Sequence, residues 1–216
     1  MIKTNTLKHT FEFTKTFRYF THGNMENSEV LLFVLHGYGQ LAEYFIKKFE
    51  HLDESILVVA PEGMHRFYTQ GSSGRVGASW MTKEDRESDI NDNLHFLNHL
   101  EKLIRRKKKF RKKILIGFSQ GGATAARWHY NNPHLFDSLV MWGSVFPPDL
   151  SLNKEINTEG KSNYFILGDK DEYFNVSDRE IAIEHFRSKN FQIILYNGKH
   201  DICSGTVLHL MHEVVK

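Results

Sequence analysis

Short, continuous apolar runs alternate along this chain with longer stretches of mixed polarity. Val30-Leu31-Leu32-Phe33-Val34-Leu35 is apolar at every position, as expected of a strand buried on both faces. Ile56–Ala60, Ile114–Ile116, Leu139–Trp142, Tyr164–Leu167 and Phe191–Tyr196 repeat the theme. Between them, Leu41–Leu52, Asp85–Arg106, Ala123–Tyr130, Ser177–Ser188 and Gly205–Val215 read as helices. In the longest, Ile90, Leu94, Leu97, Leu100 and Ile104 recur at helical spacing. This order predicts an α/β fold, with a mostly parallel central sheet and helices on both faces. Lys8–His22 alternates apolar with polar residues, which predicts edge strands with one wet face. Residues 61–84, rich in Gly and Ser, read as a long irregular segment of the kind that is functional or mobile. No repeat, low-complexity tract or linker divides the chain, so residues 1–216 read as one domain without a large lid.

Composition adds bounds. A chain of 216 residues, 40% hydrophobic and 25% charged, can bury a substantial core without cross-links. A net charge of +2 supplies no global field for nucleic acid or an anionic membrane. The single cysteine, Cys203, rules out an internal disulfide and fits a reducing compartment. No segment is long and apolar enough to span a bilayer, and the N-terminus lacks the apolar core of a signal peptide. The expectation is a soluble, cytoplasmic chain with no nucleic-acid partner and no stable membrane insertion. The basic run Arg105–Lys113 is expected to be a solvated turn between a helix end and the amino end of a strand. No His, Asp or Glu cluster has metal-ligand spacing, so no metal is expected.

The candidate chemistry lies at strand exits, where open parallel sheets bind ligands. Gly117-Phe118-Ser119-Gln120-Gly121 fits the G-x-S-x-G pattern, follows an apolar strand and opens a helix rich in small residues. That context suits a nucleophilic serine held on a sharp strand-to-helix turn. An acid and then a histidine should follow Ser119 in the chain. His185, His209 and His212 fall within predicted helices, where a side chain is core-packed or solvated. His200, on the loop after the last strand, is the base candidate. Asp169 and Asp171 are both candidates for the acid, with Asp171 favoured because it stands further along the loop. Asp169 would then order the turn. Asp201 reads as a capping residue and His36 as a structural strand-end residue. The backbone amides of Gln120 and of Tyr38, in His36-Gly37-Tyr38-Gly39, are candidate oxyanion donors. Phe146, just past a strand exit, is a candidate pocket residue, whereas Trp142 reads as core.

Together, the HGYG, GFSQGG, GDKD and GKH segments resemble the phospholipase/carboxylesterase family of α/β-hydrolases, over about residues 30 to 210. The resemblance implies the α/β-hydrolase fold, a Ser119–Asp171–His200 triad, oxyanion amides at Tyr38 and Gln120, and no cofactor. It also implies that Trp80, in SWMTKEDRESDI, stands beside the site and binds substrate. Gln40 and Trp80-Met81-Thr82 depart from the Asp and Trp-Phe-Asp usual in thioesterase-type members, which favours general ester hydrolysis. The implied partner is a small-molecule ester, and a homodimer is compatible with the sequence. The rival expectation is a non-catalytic small-molecule or lipid-binding protein on the same fold.

Overall fold

The computed structural model describes residues 6–150 and 162–215. Seven strands form one sheet in the order β1-β3-β2-β6-β7-β8-β9. These are β1 (Tyr19–His22), β2 (Val30–Leu35), β3 (Ile56–Pro61), β6 (Lys112–Phe118), β7 (Ser138–Trp142), β8 (Asn163–Gly168) and β9 (Phe191–Tyr196). Only β1 is antiparallel to its neighbour; the other pairings are parallel. Each apolar run read as a buried strand is one of them.

Strand residues divide by parity between two cores, as the two-residue period of a strand requires. Val30, Leu32 and Val34 face one core, shared with Phe45, Phe49, Val207, Leu210 and Met211. Leu31, Phe33 and Leu35 face the other, shared with Leu97, Leu100, Ala125, Trp128 and Phe186. Thus α1 (Ala42–Phe45) and α5 (Ser204–Val215) cover one face. The helices α2 (Arg86–Lys107), α3 (Gln120–Asn131) and α4 (Val176–Ser188) cover the other.

Three expectations are corrected. Lys8–His22 does not supply edge strands throughout: only β1 pairs, through Tyr19↔Pro61 to His22↔Val58. The partner strand ends at Pro61; past it only Glu62 N–H, donated to Arg18 O at 3.2 Å, extends the pairing, and Phe11 and Phe13 stay exposed. Instead, the buried carboxylate of Glu62 accepts both Nε and Nη2 of Arg18 and anchors the segment that way. Residues 61–84 are not irregular: β4 (His65–Gln70) and β5 (Ser73–Ser79) form an antiparallel hairpin. The predicted helix Leu41–Leu52 is shorter; α1 tightens into a 3-10 turn over Ile46–Phe49, which still buries Ile46 and Phe49.

The basic run falls where the sequence placed it. Arg105, Arg106 and Lys107 form the last turn of α2, and Lys112 opens β6, at the end of that strand opposite Ser119. Beyond the carboxyl ends of β2 and β6, the chain leaves in opposite directions across the sheet, toward β3 and toward β7. Crevices form at such reversals.

Candidate active site

The turn after β6 is built around Ser119, whose backbone sits at φ 52 and ψ −121. A positive φ is costly for a residue with a Cβ, and such strain persists only where the surroundings over-determine it. Here Ser119 N–H donates to Trp142 O at 2.9 Å, and Ser119 O accepts Gly122 N–H at 2.9 Å. The neighbouring glycines let backbones touch. A Cβ at Gly117 would lie 2.5 Å from Gly121 O, and one at Gly121 would collide with the carbonyl oxygens of Leu35 and His36. The helix α3 therefore begins directly at Gln120, three residues before its predicted start.

Asp171 and His200 stand together at the exits of β8 and β9. Nδ1 of His200 lies 2.7 Å from Oδ2 of Asp171, which is buried. The other carboxylate oxygen accepts Tyr173 N–H at 3.0 Å. The rings of Phe118 and Tyr173 flank the imidazole, at 4.7 and 4.4 Å between centroids. With Nδ1 committed to the carboxylate, Nε2 is the nitrogen left for other partners. Ser119 and His200 line the same cavity, of about 590 Å³. Asp169 instead accepts Gly198 N–H at 2.9 Å and stitches the two loops together. The Asp201 carboxylate takes Ile202 N–H and an ion pair from Lys48.

Several residues that the sequence left unassigned hold this constellation. Gly143, at φ 54, passes so close that a Cβ there would lie 3.1 Å from the His200 ring and 3.3 Å from Asp171 Oδ2. Tyr196 OH donates to the 199–201 loop, and Trp142 Nε1 donates to Asp201 O at 3.1 Å, so a core tryptophan also braces the His200 loop. Tyr173, Phe174, Ile181 and His185 all line the cavity. No motif marks them.

The loop after β2 packs beside Ser119: a Cβ at Gly37 would lie 3.1 Å from Ser119 Cβ. Gly37 N–H donates to Gln40 Oε1 and Gly39 N–H to Ala78 O. The amide of Tyr38 meets no hydrogen-bond acceptor among the described residues, nor does that of Gln120. The Gln120 side chain is fully occupied with the 79–81 segment, accepting Trp80 N–H and donating to Met81 O. The side chain of Tyr38 points away and stacks on Phe67 of the hairpin.

Of the two residues expected to touch substrate, Phe146 lines the cavity and Trp80 does not. Trp80 is fully buried; its Nε1 donates to His36 O at 2.8 Å and its ring packs on the His36 imidazole. Through His36 it braces the loop after β2 from behind. His36 is structural as expected: Nδ1–H donates to Gly37 O, and Nε2 accepts Gly63 N–H. Burial pushes its pKa down from 6.5 to about 4. The folded protein thus binds this proton less readily than the unfolded chain. The contribution to stability is full above pH 6.5 and lost as pH falls from 6.5 toward 4, about 3 kcal/mol in all. Urea unfolding measured across that window should show the loss, and His36→Gln should flatten it. An unchanged slope in the variant would contradict the assignment.

The 147–150 segment that follows Phe146 is clamped as well. Asp149 accepts Nε and Nη2 of buried Arg127 at 2.8 Å each, and Nη2 of Arg86 at 2.5 Å. The Arg127 hydrogen bonds, foremost, push the Asp149 carboxyl down to about 2. Gln120 and Arg127, seven residues apart on α3, thus tie that helix to the 79–81 segment and to Asp149.

Comparison with solved structures shows the same architecture. Esterase PE8 superposes with a TM-score of 0.71 at 20% identity, covering 93% of this chain and 100% of its own. The Zea mays acyl-protein thioesterase 2 gives 0.70 at 16%, covering 92% and 97%. The Bacillus cereus carboxylesterase gives 0.67 at 18%, covering 92% and 93%. At these identities the likeness is one of fold. No curated protein matches the sequence. Residues 30–168, the span from β2 through β8 that carries Tyr38, Ser119 and Phe146, match the family model described as alpha/beta hydrolase fold, and the chain belongs to that family.

Proposed function

We propose that this protein hydrolyses carboxylic esters through an acyl-enzyme on Ser119. The observation that carries the reading is the joint placement of Ser119, on its strained turn, and of the His200–Asp171 pair on one cavity. His200 Nε2 takes the Ser119 proton as the hydroxyl attacks the ester carbonyl, and returns it to the departing alkoxide. Asp171 holds the imidazole with Nδ1–H toward itself and stabilises the imidazolium. The unpaired amides of Tyr38 and Gln120 supply the donors for the tetrahedral oxyanion, and the positive end of α3 adds to them. Water then attacks the acyl-enzyme by the reverse proton path. Structural neighbours that are themselves named esterase, carboxylesterase and acyl-protein thioesterase support the reaction class. A panel of p-nitrophenyl esters and acyl thioesters tests it: turnover of the esters is expected, and folded protein inert toward the whole panel would overturn it.

The hairpin gives a second test. Gly77 abuts the oxyanion loop, where a Cβ would lie 2.5 Å from Gly39 O. Gly77→Ala should push the 37–40 loop out of place and lower kcat by roughly 10²-fold, the cost of one oxyanion donor. Unchanged kcat in that variant would place the donor elsewhere.

A further inference from the structure

The cavity continues past Ser119 and His200 along α4. Asp178, Ile181, Ala182 and His185 line it. Their i, i+3, i+4, i+7 spacing is one helical stripe. Because α4 runs from the carboxyl end of β8 back to the amino end of β9, its first turn stands at the catalytic rim. Seven residues of helix advance about 10 Å, so His185 lies that far from Asp178, at the distal end. The walls between are apolar, with Phe146, Phe174 and Phe186 prominent.

The distal end is polar, lined by the His185 imidazole, with one cation, Lys189, beside it. The His185 ring packs edge-on to Phe146 at 5.7 Å, yet its nitrogens bond no protein group among the described residues. Lys189 Nζ stands 4.6 Å over the same Phe146 ring. Burial, and then the charge of Lys189, push the His185 pKa down, which favours the neutral imidazole with one N–H to donate. Asp178 does not oppose this charge, being engaged at the other end of the stripe with Asn175 Nδ2 at 2.6 Å. A purely hydrocarbon chain would give neither group a partner, whereas a carboxylate would accept the His185 ring N–H and pair with the Lys189 ammonium.

We propose that His185 and Lys189 form a subsite for an anionic end group, so that the preferred substrates are esters whose cavity-filling chain ends in a carboxylate. This rests on Ser119 being the nucleophile that anchors the other end. The pair is partly solvated, so the preference should be about fivefold, the upper range for an exposed ion pair.

Boronic acids test both statements separately, since they attach to a nucleophilic serine and carry a single chain. Octylboronic acid and its ω-carboxy counterpart would be titrated as inhibitors of p-nitrophenyl ester turnover. The ω-carboxy compound is expected to bind about fivefold tighter to the wild type, with the advantage shrinking at high salt. His185→Leu and Lys189→Gln should each reduce the ratio, and the double variant should bring it to one or below, with circular dichroism confirming the fold. Equal or tighter binding of the alkyl compound to wild type, or a ratio unmoved in the double variant, would overturn the subsite. Failure of both compounds to bind would instead overturn the Ser119 reading beneath it.

Discussion

Ser119→Ala is expected to lower ester turnover by about a millionfold while leaving the melting temperature within a few degrees of wild type. The two halves of this result have different origins. Catalysis is lost because the attacking oxygen is gone. Stability is kept because the Ser119 side chain donates no hydrogen bond that the fold depends on; its backbone, held by Trp142 O and Gly122 N–H, does the structural work. Ser119→Gly separates strain from chemistry. It should be as inactive as the alanine variant, yet no less stable despite its flexible backbone, because glycine accepts φ 52 without cost. Steady-state kinetics with an activated ester, together with thermal unfolding of the three proteins, checks both halves. Residual activity within a hundredfold of wild type in Ser119→Ala would contradict the mechanism.

The second large effect is that of Asp171→Asn. The isosteric amide keeps the shape of the buried site and can still accept Tyr173 N–H through its remaining oxygen. It can, however, present an N–H toward His200 where a carboxylate now sits 2.7 Å away. The imidazole then turns its lone pair to the amide and its proton to Ser119, the wrong tautomer for a base. The expected loss is about ten-thousandfold in kcat, with KM nearly unchanged. Asp169→Asn is the control: Asp169 holds Gly198 N–H and does not touch the imidazole, so its variant should lose far less activity. The reverse ranking would exchange the roles of the two aspartates.

The architecture was legible where the physics is local. Strands such as Val30–Leu35 announce themselves because burial on both faces removes every polar position. The motifs at their exits follow because parallel strands all end on the same rim. The hairpin His65–Ser79 was not legible, since its strands pair mainly with each other, stay largely exposed, and carry glycines that read as loop. For Trp80 the neighbourhood was right and the orientation wrong: sequence position says which loop a ring belongs to, but not whether it faces the cavity or the underlying core. His185 shows the converse. Its place in a helix was read correctly, but which face of α4 meets the cavity depends on how β8 and the Asp171 loop deliver that helix to the sheet. Gly143 carries no signal at all in one sequence, because the need for a missing Cβ arises from a histidine 57 positions away and an aspartate 28 away.

The most direct measurement of the central claim is covalent. A fluorophosphonate should add once to the wild-type protein, with the adduct mapped by peptide mass spectrometry to Ser119. His200→Ala should slow that labelling by orders of magnitude, and Ser119→Ala should abolish it. Labelling at another residue, or undiminished labelling without His200, would contradict the account.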